Sequence, residues 1–95
     1  MFGNFKQKIA DLKDKLESIE IEGKDSGNTV KVVCNANRRI LSMDINESIL
    51  KVRSKEEIQQ IIMEATNDAL TKAEAIFLEE SKRIMPNIPG ISNIF

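Results

Sequence analysis

Lys6, Lys8, Lys13 and Lys15 stand close together near the start of the chain, Lys31, Arg38 and Arg39 form a second basic group, and Lys82 and Arg83 form a third. Ammonium and guanidinium groups are the side chains that neutralise phosphate oxygens, so these nine are the candidates for holding a nucleic-acid backbone. Asp11 and Asp14 partly cancel the first group, which leaves an ordinary solvated helix surface as its other reading. Around a strand and turn, Lys31, Arg38 and Arg39 serve equally to protect a sheet edge.

Composition removes most other chemistry. The chain has no His and one Cys, Cys34. Ser/His/Asp and Cys/His catalysis, zinc sites built on His or paired Cys, and intrachain disulfides are therefore excluded. Cys34 lies in an apolar alternating segment and reads as a buried structural thiol. Asp44 with Glu47 is the carboxylate pair best placed for acid and base work, but it needs a cleft that shifts one pKa, and a chain this small gives no sign of one. No enzymatic activity, metal, cofactor or small-molecule substrate is expected. Four Phe without Trp or Tyr supply no stacking platform for single strands, and no Asn, Gln or Arg cluster marks a recognition helix, so base-specific readout is not expected either.

The 95 residues make one small domain with a modest core. Its 14 basic and 15 acidic side chains leave a net charge of −1, too balanced for a general attraction to nucleic acid or membrane. The distribution is uneven. Residues 1–15 carry +2, 16–28 carry −3, 29–55 carry +4, 56–80 carry −6 and 81–95 carry +2, so opposite fields sit on different elements. No apolar run approaches the ~18 residues of a membrane span. The opening residues lack a signal-peptide core, and a cytosolic protein is expected.

Positioning these groups falls to elements whose periods are legible. Phe2, Phe5, Ile9, Leu12, Leu16 and Ile19 follow alternating spacings of three and four, a narrow a/d seam that fits a helix packing on its own domain's core or, as so narrow a stripe favours, a helix that pairs with another. From Ile19 the period changes to two. Gly23 to Asn28 supplies hairpin turn residues, Thr29 to Cys34 reads as a strand with Val30, Val32 and Cys34 inward, and Asn35 to Arg38 turns the chain. A third strand follows with Leu41, Met43 and Ile45 on one face, which places Val33 and Ile40 on the other. Asn46 to Leu50 reads as a short helix, and Ser54 with Glu57 forms a capping box opening a long helix that Pro86 stops, ~30 residues and ~45 Å in all.

This α+β chain, with an N-terminal helix, a three-stranded antiparallel meander, a short helix and a long C-terminal helix, has more helix than its sheet can cover. Ala75 to Leu78 are four successive apolar residues and wrap the whole helix circumference. A second copy of the chain is the simplest cover. Phe5, Ile9, Leu12, Leu16, Ile76, Phe77 and Leu78 are the expected interface of a homodimer, with Ala65, Ala69 and Ala73 letting two helices approach. Residues 1–85 form the domain. Residues 86–95 form a Pro- and Gly-containing apolar tail whose Ile88, Ile91, Ile94 and Phe95 suit either a frayed end or docking on a protein partner.

In this order, Met1-Phe2-Gly3, Ile21-Glu22-Gly23 with Gly27, Val30-Lys31-Val32, Ile45 through Leu50 and Ala65-Thr66-Asn67-Asp68-Ala69 resemble the YbaB/EbfC family of nucleoid-associated DNA-binding proteins over almost the whole chain. The resemblance implies a tweezer-like homodimer that binds duplex DNA in the bacterial nucleoid and cytoplasm, without catalysis, through the first and last helices, here residues 2–18 and about 55–85. Where the family has Gly near the hairpin tip and after the second strand, this chain has Asn28 and Asn35-Ala36-Asn37, and Asn tolerates the positive φ such turns use. The alternative is a dimeric helical clamp for a protein partner, with DNA secondary.

Overall fold

The heptad seam becomes α1 (Phe2–Ser18), and two polar turns separate β1 (Glu20–Lys24), β2 (Val30–Asn35) and β3 (Ile40–Ile45). A short α2 (Glu47–Val52) and a long α3 (Lys55–Ile84) follow. This is the element order expected from the periodicities. A computed structural model describes residues 2–84, with side chains from Lys6 to Arg83; the expected tail, 86–95, and the side chain of Phe5 lie outside the described residues. The sheet is a meander in the order β1-β2-β3, antiparallel throughout.

Each turn is closed by one polar side chain. In the first, the buried Asp25 carboxylate accepts from Thr29 N at 2.7 Å, Thr29 Oγ1 at 2.7 Å and Val30 N at 2.8 Å. Burial pushes its pKa up, but the hydrogen bonds from Val30 and Thr29 outweigh that and hold the carboxyl below its ordinary value. Asn28 takes a positive φ of 58° there, as its side chain permits. In the second, Asn35 Oδ1 accepts from Asn37 N at 3.0 Å and Arg39 N at 3.1 Å. The positive φ of this turn falls on Arg38, at 67°, and not on an asparagine. Its guanidinium lies 5.5 Å from the centroid of the Phe77 ring, a cation–π contact tying the turn to α3.

The capping box forms as read: Ser54 N donates to Glu57 Oε1 at 3.1 Å and Glu57 N donates to Ser54 Oγ at 3.1 Å. From there α3 crosses β1 and β2 at close range. A Cβ on Gly23 would stand 2.6 Å from both Ala65 O and Ala69 Cα and would overlap Ala69 N. Ala65, Ala69 and Ala73 are fully buried in this contact. The alanines expected to admit a second helix therefore admit a β-strand of their own chain. Val30, Val32 and Cys34 face the helix as expected, with Cys34 Sγ donating to Ala69 O at 3.5 Å; burial pushes that thiol's pKa up, in keeping with a structural role.

Nearness of α3 also closes one sheet edge. Lys24 N donates to Asp68 Oδ2 at 2.9 Å, Ser26 N donates to Glu64, and Lys72 Nζ donates to Glu22 O at 3.3 Å. The opposite edge, β3, carries a bulge at Leu41: Val33 faces Ser42, but Cys34 faces Ile40. Partners across an antiparallel pair share a face, so Ile40 joins Met43 and Ile45 on the side of Cys34. The expectation that Ile40 points the other way fails because one extra residue reverses the alternation. The outer face is left polar, with Val33 half-buried among Glu22, Lys24, Lys31, Ser42 and Asp44.

Beyond the sheet, α3 meets α1. Leu12 and Leu16 are 1% exposed and Phe77 is 7% exposed, so these three expected interface residues already have cover within one chain. Ala75 is exposed, and Ile76 and Leu78 are half-buried. The molecule measures 59 × 21 × 16 Å, with the helical arm as its long extension. Gly23→Ala is expected to lower stability by about 3 kcal/mol, the upper range for overpacking against rigid backbone. Gly27→Ala, whose Cβ would meet nothing closer than Asp25 Oδ2 at 3.3 Å, should lose under about 1 kcal/mol. Urea midpoints of the two variants check the difference.

Candidate nucleic-acid interface

Three sequence-distant basic groups meet where the arm leaves the sheet. The end of α1 is stitched to the end of β2 by Ala36 N donating to Leu16 O at 3.0 Å. Asn37 Nδ2 in the following turn donates to Lys13 O at 3.3 Å. Across the arm, Lys15 Nζ pairs with Glu80 Oε2 at 2.7 Å, while Arg38 lies over Phe77. These contacts gather the elements bearing Lys13, Lys15, Arg38, Arg39, Lys82 and Arg83 at one end of the fold. Lys6 and Lys8 stand exposed farther out along α1, about 10 to 14 Å from Lys15 at 1.5 Å per residue.

Lys31 is elsewhere. It lies on the outer face of the sheet, 3.9 Å from Glu22 Oε1, with Lys24 3.6 Å from the same oxygen. Together with Asp44, Asn28 and Thr29 they line a shallow depression of mixed charge. Asp44 and Glu47 are both exposed and line no enclosed cleft. Among the described residues no cluster of three His, Cys, Asp or Glu side chains is arranged to hold a metal, and no helix is long and apolar enough to cross a membrane.

The acidic charge of α3 is largely spent on structure. Glu57 closes the capping box and pairs with Arg53 at 3.2 Å; its pKa is lowered first by the Ser54 backbone N–H and then by Arg53. Glu64 and Asp68 cap the edge of β1, and the Lys24 N–H followed by Lys72 holds the Asp68 carboxyl below its ordinary value. Glu79 lies 3.4 Å from Arg83, and Glu80 takes Lys15 and, at 3.6 Å, Arg83. The Lys15 hydrogen bond, ahead of the pull of Arg83, lowers the Glu80 pKa. These acids point at the sheet edge or at cations of their own chain, which tempers the repulsion that a −6 segment suggests.

Comparison with known proteins gives the family. The sequence pattern of the YbaB/EbfC DNA-binding family matches residues 1–88. The chain belongs to that family. It is 30% identical to a nucleoid-associated protein of Flavobacterium johnsoniae, covering all of this chain and 94% of that protein. It is 34% identical to the nucleoid-associated protein PMM0020 of Prochlorococcus marinus subsp. pastoris, covering 92% of this chain and 78% of that one. The crystal structure of HP0035, an uncharacterized protein from Helicobacter pylori, superimposes with a TM-score of 0.78 over 88% of each chain at 23% identity, a likeness of fold.

Within this YbaB/EbfC fold the nine candidate cations separate by their partners. Lys15, Lys31 and Arg83 are ion-paired, and Arg38 is on an aromatic ring. Lys6, Lys8, Lys13, Arg39 and Lys82 are exposed with no carboxylate partner among the described residues. Spacing alone hinted only at Arg83, whose partners Glu79 and Glu80 lie four and three residues before it on α3; the partners of Lys15, Lys31 and Arg38 come from other elements. On a phosphate-binding surface at the arm, Lys13→Glu and Lys82→Glu should each weaken duplex binding about tenfold at low salt and flatten the salt slope by about 1. Lys31→Glu should change affinity less than about twofold, read by the same titration.

Proposed function

We propose that this chain binds duplex DNA as a homodimer, mainly through phosphates and with little base specificity, and that it acts in the nucleoid on DNA organisation and gene expression. The observation that carries the reading is the convergence of α1, the β2–β3 turn and the end of α3 into one basic end, in a chain of a DNA-binding family whose relatives are named nucleoid-associated. The buried Phe77 is unavailable for base stacking. Exposed lysines on a helix surface neutralise phosphate without reading sequence.

Support for a second copy comes from β3. The β1 edge is capped by α3, whereas β3 offers Ile40 at 41%, Leu41 at 47% and Met43 at 43% exposure on a strand edge. Leu50, Val52 and Met63, from α2 and the start of α3, are exposed as well. A two-fold pairing at β3 removes this surface from water and doubles the basic ends. It moves the expected interface from the α1 seam toward the sheet, with Ile9, Ile76 and Leu78 on the arm half-buried.

The other reading, a clamp for a protein partner, draws on the net charge of −1 and on the apolar tail. Fluorescence anisotropy with labelled duplex at ~50 and ~200 mM salt separates the two, since several phosphate contacts lose orders of magnitude over that range. Salt-sensitive binding by a species of twice the 10.7 kDa chain mass, measured by light scattering, is expected. Absence of binding at ~50 mM overturns the DNA reading. Met43→Lys is expected to yield a folded monomer, and a persistent dimer would place the contact elsewhere.

A further inference from the structure

We propose that Glu80 is an internal substitute for phosphate, occupying the point where a DNA phosphate would bridge Lys15 of α1 and Arg83 of α3, and thereby setting how much positive charge the arm presents. The inference rests on the duplex-binding reading and deepens it by naming what restrains that site.

Both Glu80 oxygens are engaged by cations: Oε2 by Lys15 Nζ at 2.7 Å and Oε1 by Arg83 at 3.6 Å. The Glu80 side chain is 11% exposed, whereas those of Lys15 and Arg83 are 45% and 62% exposed. The carboxylate thus lies beneath, and the two cations form its outer rim. This is the arrangement of a two-cation phosphate clamp whose anion is already supplied from inside. A phosphate arriving from solvent meets Lys15 paired with a nearby negative charge, a dipole whose attraction falls off faster than that of a free ammonium. Replacing Lys15's partner by DNA would strand a nearly buried carboxylate, so exchange is unfavourable. Glu79, 3.4 Å from Arg83 and 68% exposed, competes for the same guanidinium from the surface.

Glu80→Gln tests this with little change of shape. Its amide oxygen still faces the Lys15 ammonium across the contact between α1 and α3, while the negative charge is gone. Titration of labelled duplex against wild type and Glu80→Gln at ~50 to ~200 mM salt should show about tenfold tighter binding by the variant, with a salt slope steeper by about 0.9 for each cation released. Lys15→Gln should alter wild-type affinity less than about twofold yet remove most of the gain when combined with Glu80→Gln, a coupling that a merely structural strap would not produce. Equal or weaker binding by Glu80→Gln, with helical circular dichroism retained, overturns the inference. Should that variant lose helix, Glu79→Gln carries the test through Arg83: binding about two- to threefold tighter supports it, and unchanged affinity overturns it. Absence of binding by wild type and both variants at ~50 mM overturns the duplex-binding reading and this inference with it.

Discussion

Gly23 has no side chain, and α3 lies where a side chain would be. The helix backbone at Ala65 and Ala69 rests on the strand, and Ala73, one turn on, is fully buried as well. A helix held this near to β1 brings its own carboxylates within hydrogen-bonding distance of N–H groups at the strand's end and in the turn after it, which is how Asp68 reaches Lys24 and Glu64 reaches Ser26. One close approach therefore packs the core and closes an edge. It also fixes the helix over β1 and β2, leaving β3 as the open, apolar margin of the sheet.

The same placement determines where charge ends up. Because α3 is 30 residues long and the strands are five or six, its last turns run past the sheet, and α1 is the element available to cover them. Leu12, Leu16 and Phe77 pack within this arm, and Lys15 with Glu80 bridges it. Acids over the sheet side serve as caps, and bases collect at the arm, aided by the favourable position of Lys82 and Arg83 in the last turn of α3. A chain with almost no net charge thus gathers basic side chains where α1, the β2–β3 turn and the end of α3 meet.

Periodicity made most of the architecture legible. The a/d seam, the alternation of β2 and the Ser54 and Glu57 capping box each rest on local chemistry, and each is found; the expected stop at Pro86 lies outside the described residues. What escaped depends on contacts between distant segments. The Leu41 bulge shifts the alternation of β3 without any mark in composition. The small stripe on α3 announces a close approach but not its partner, which is Gly23 and not a second helix. Basic residues could be enumerated, and the i,i+4 spacing marks Arg83 as a partner of Glu79, yet the pairing of Lys31 with Glu22 and of Lys15 with Glu80 joins different elements, and no spacing rule records that. Gly23, read from the sequence as the first turn residue, lies inside β1 (Glu20–Lys24), where its missing side chain admits the helix backbone.

The proposed DNA surface comprises α1, the β2–β3 turn and the end of α3. Amide shifts of isotope-labelled protein titrated with a short duplex at low salt test it most directly. Perturbations are expected to concentrate on residues around Lys13, Arg38, Arg39 and Lys82 and to spare the strand positions of Lys24 and Lys31. Shifts confined to the outer face of the sheet, or spread along the acidic first half of α3, would contradict it.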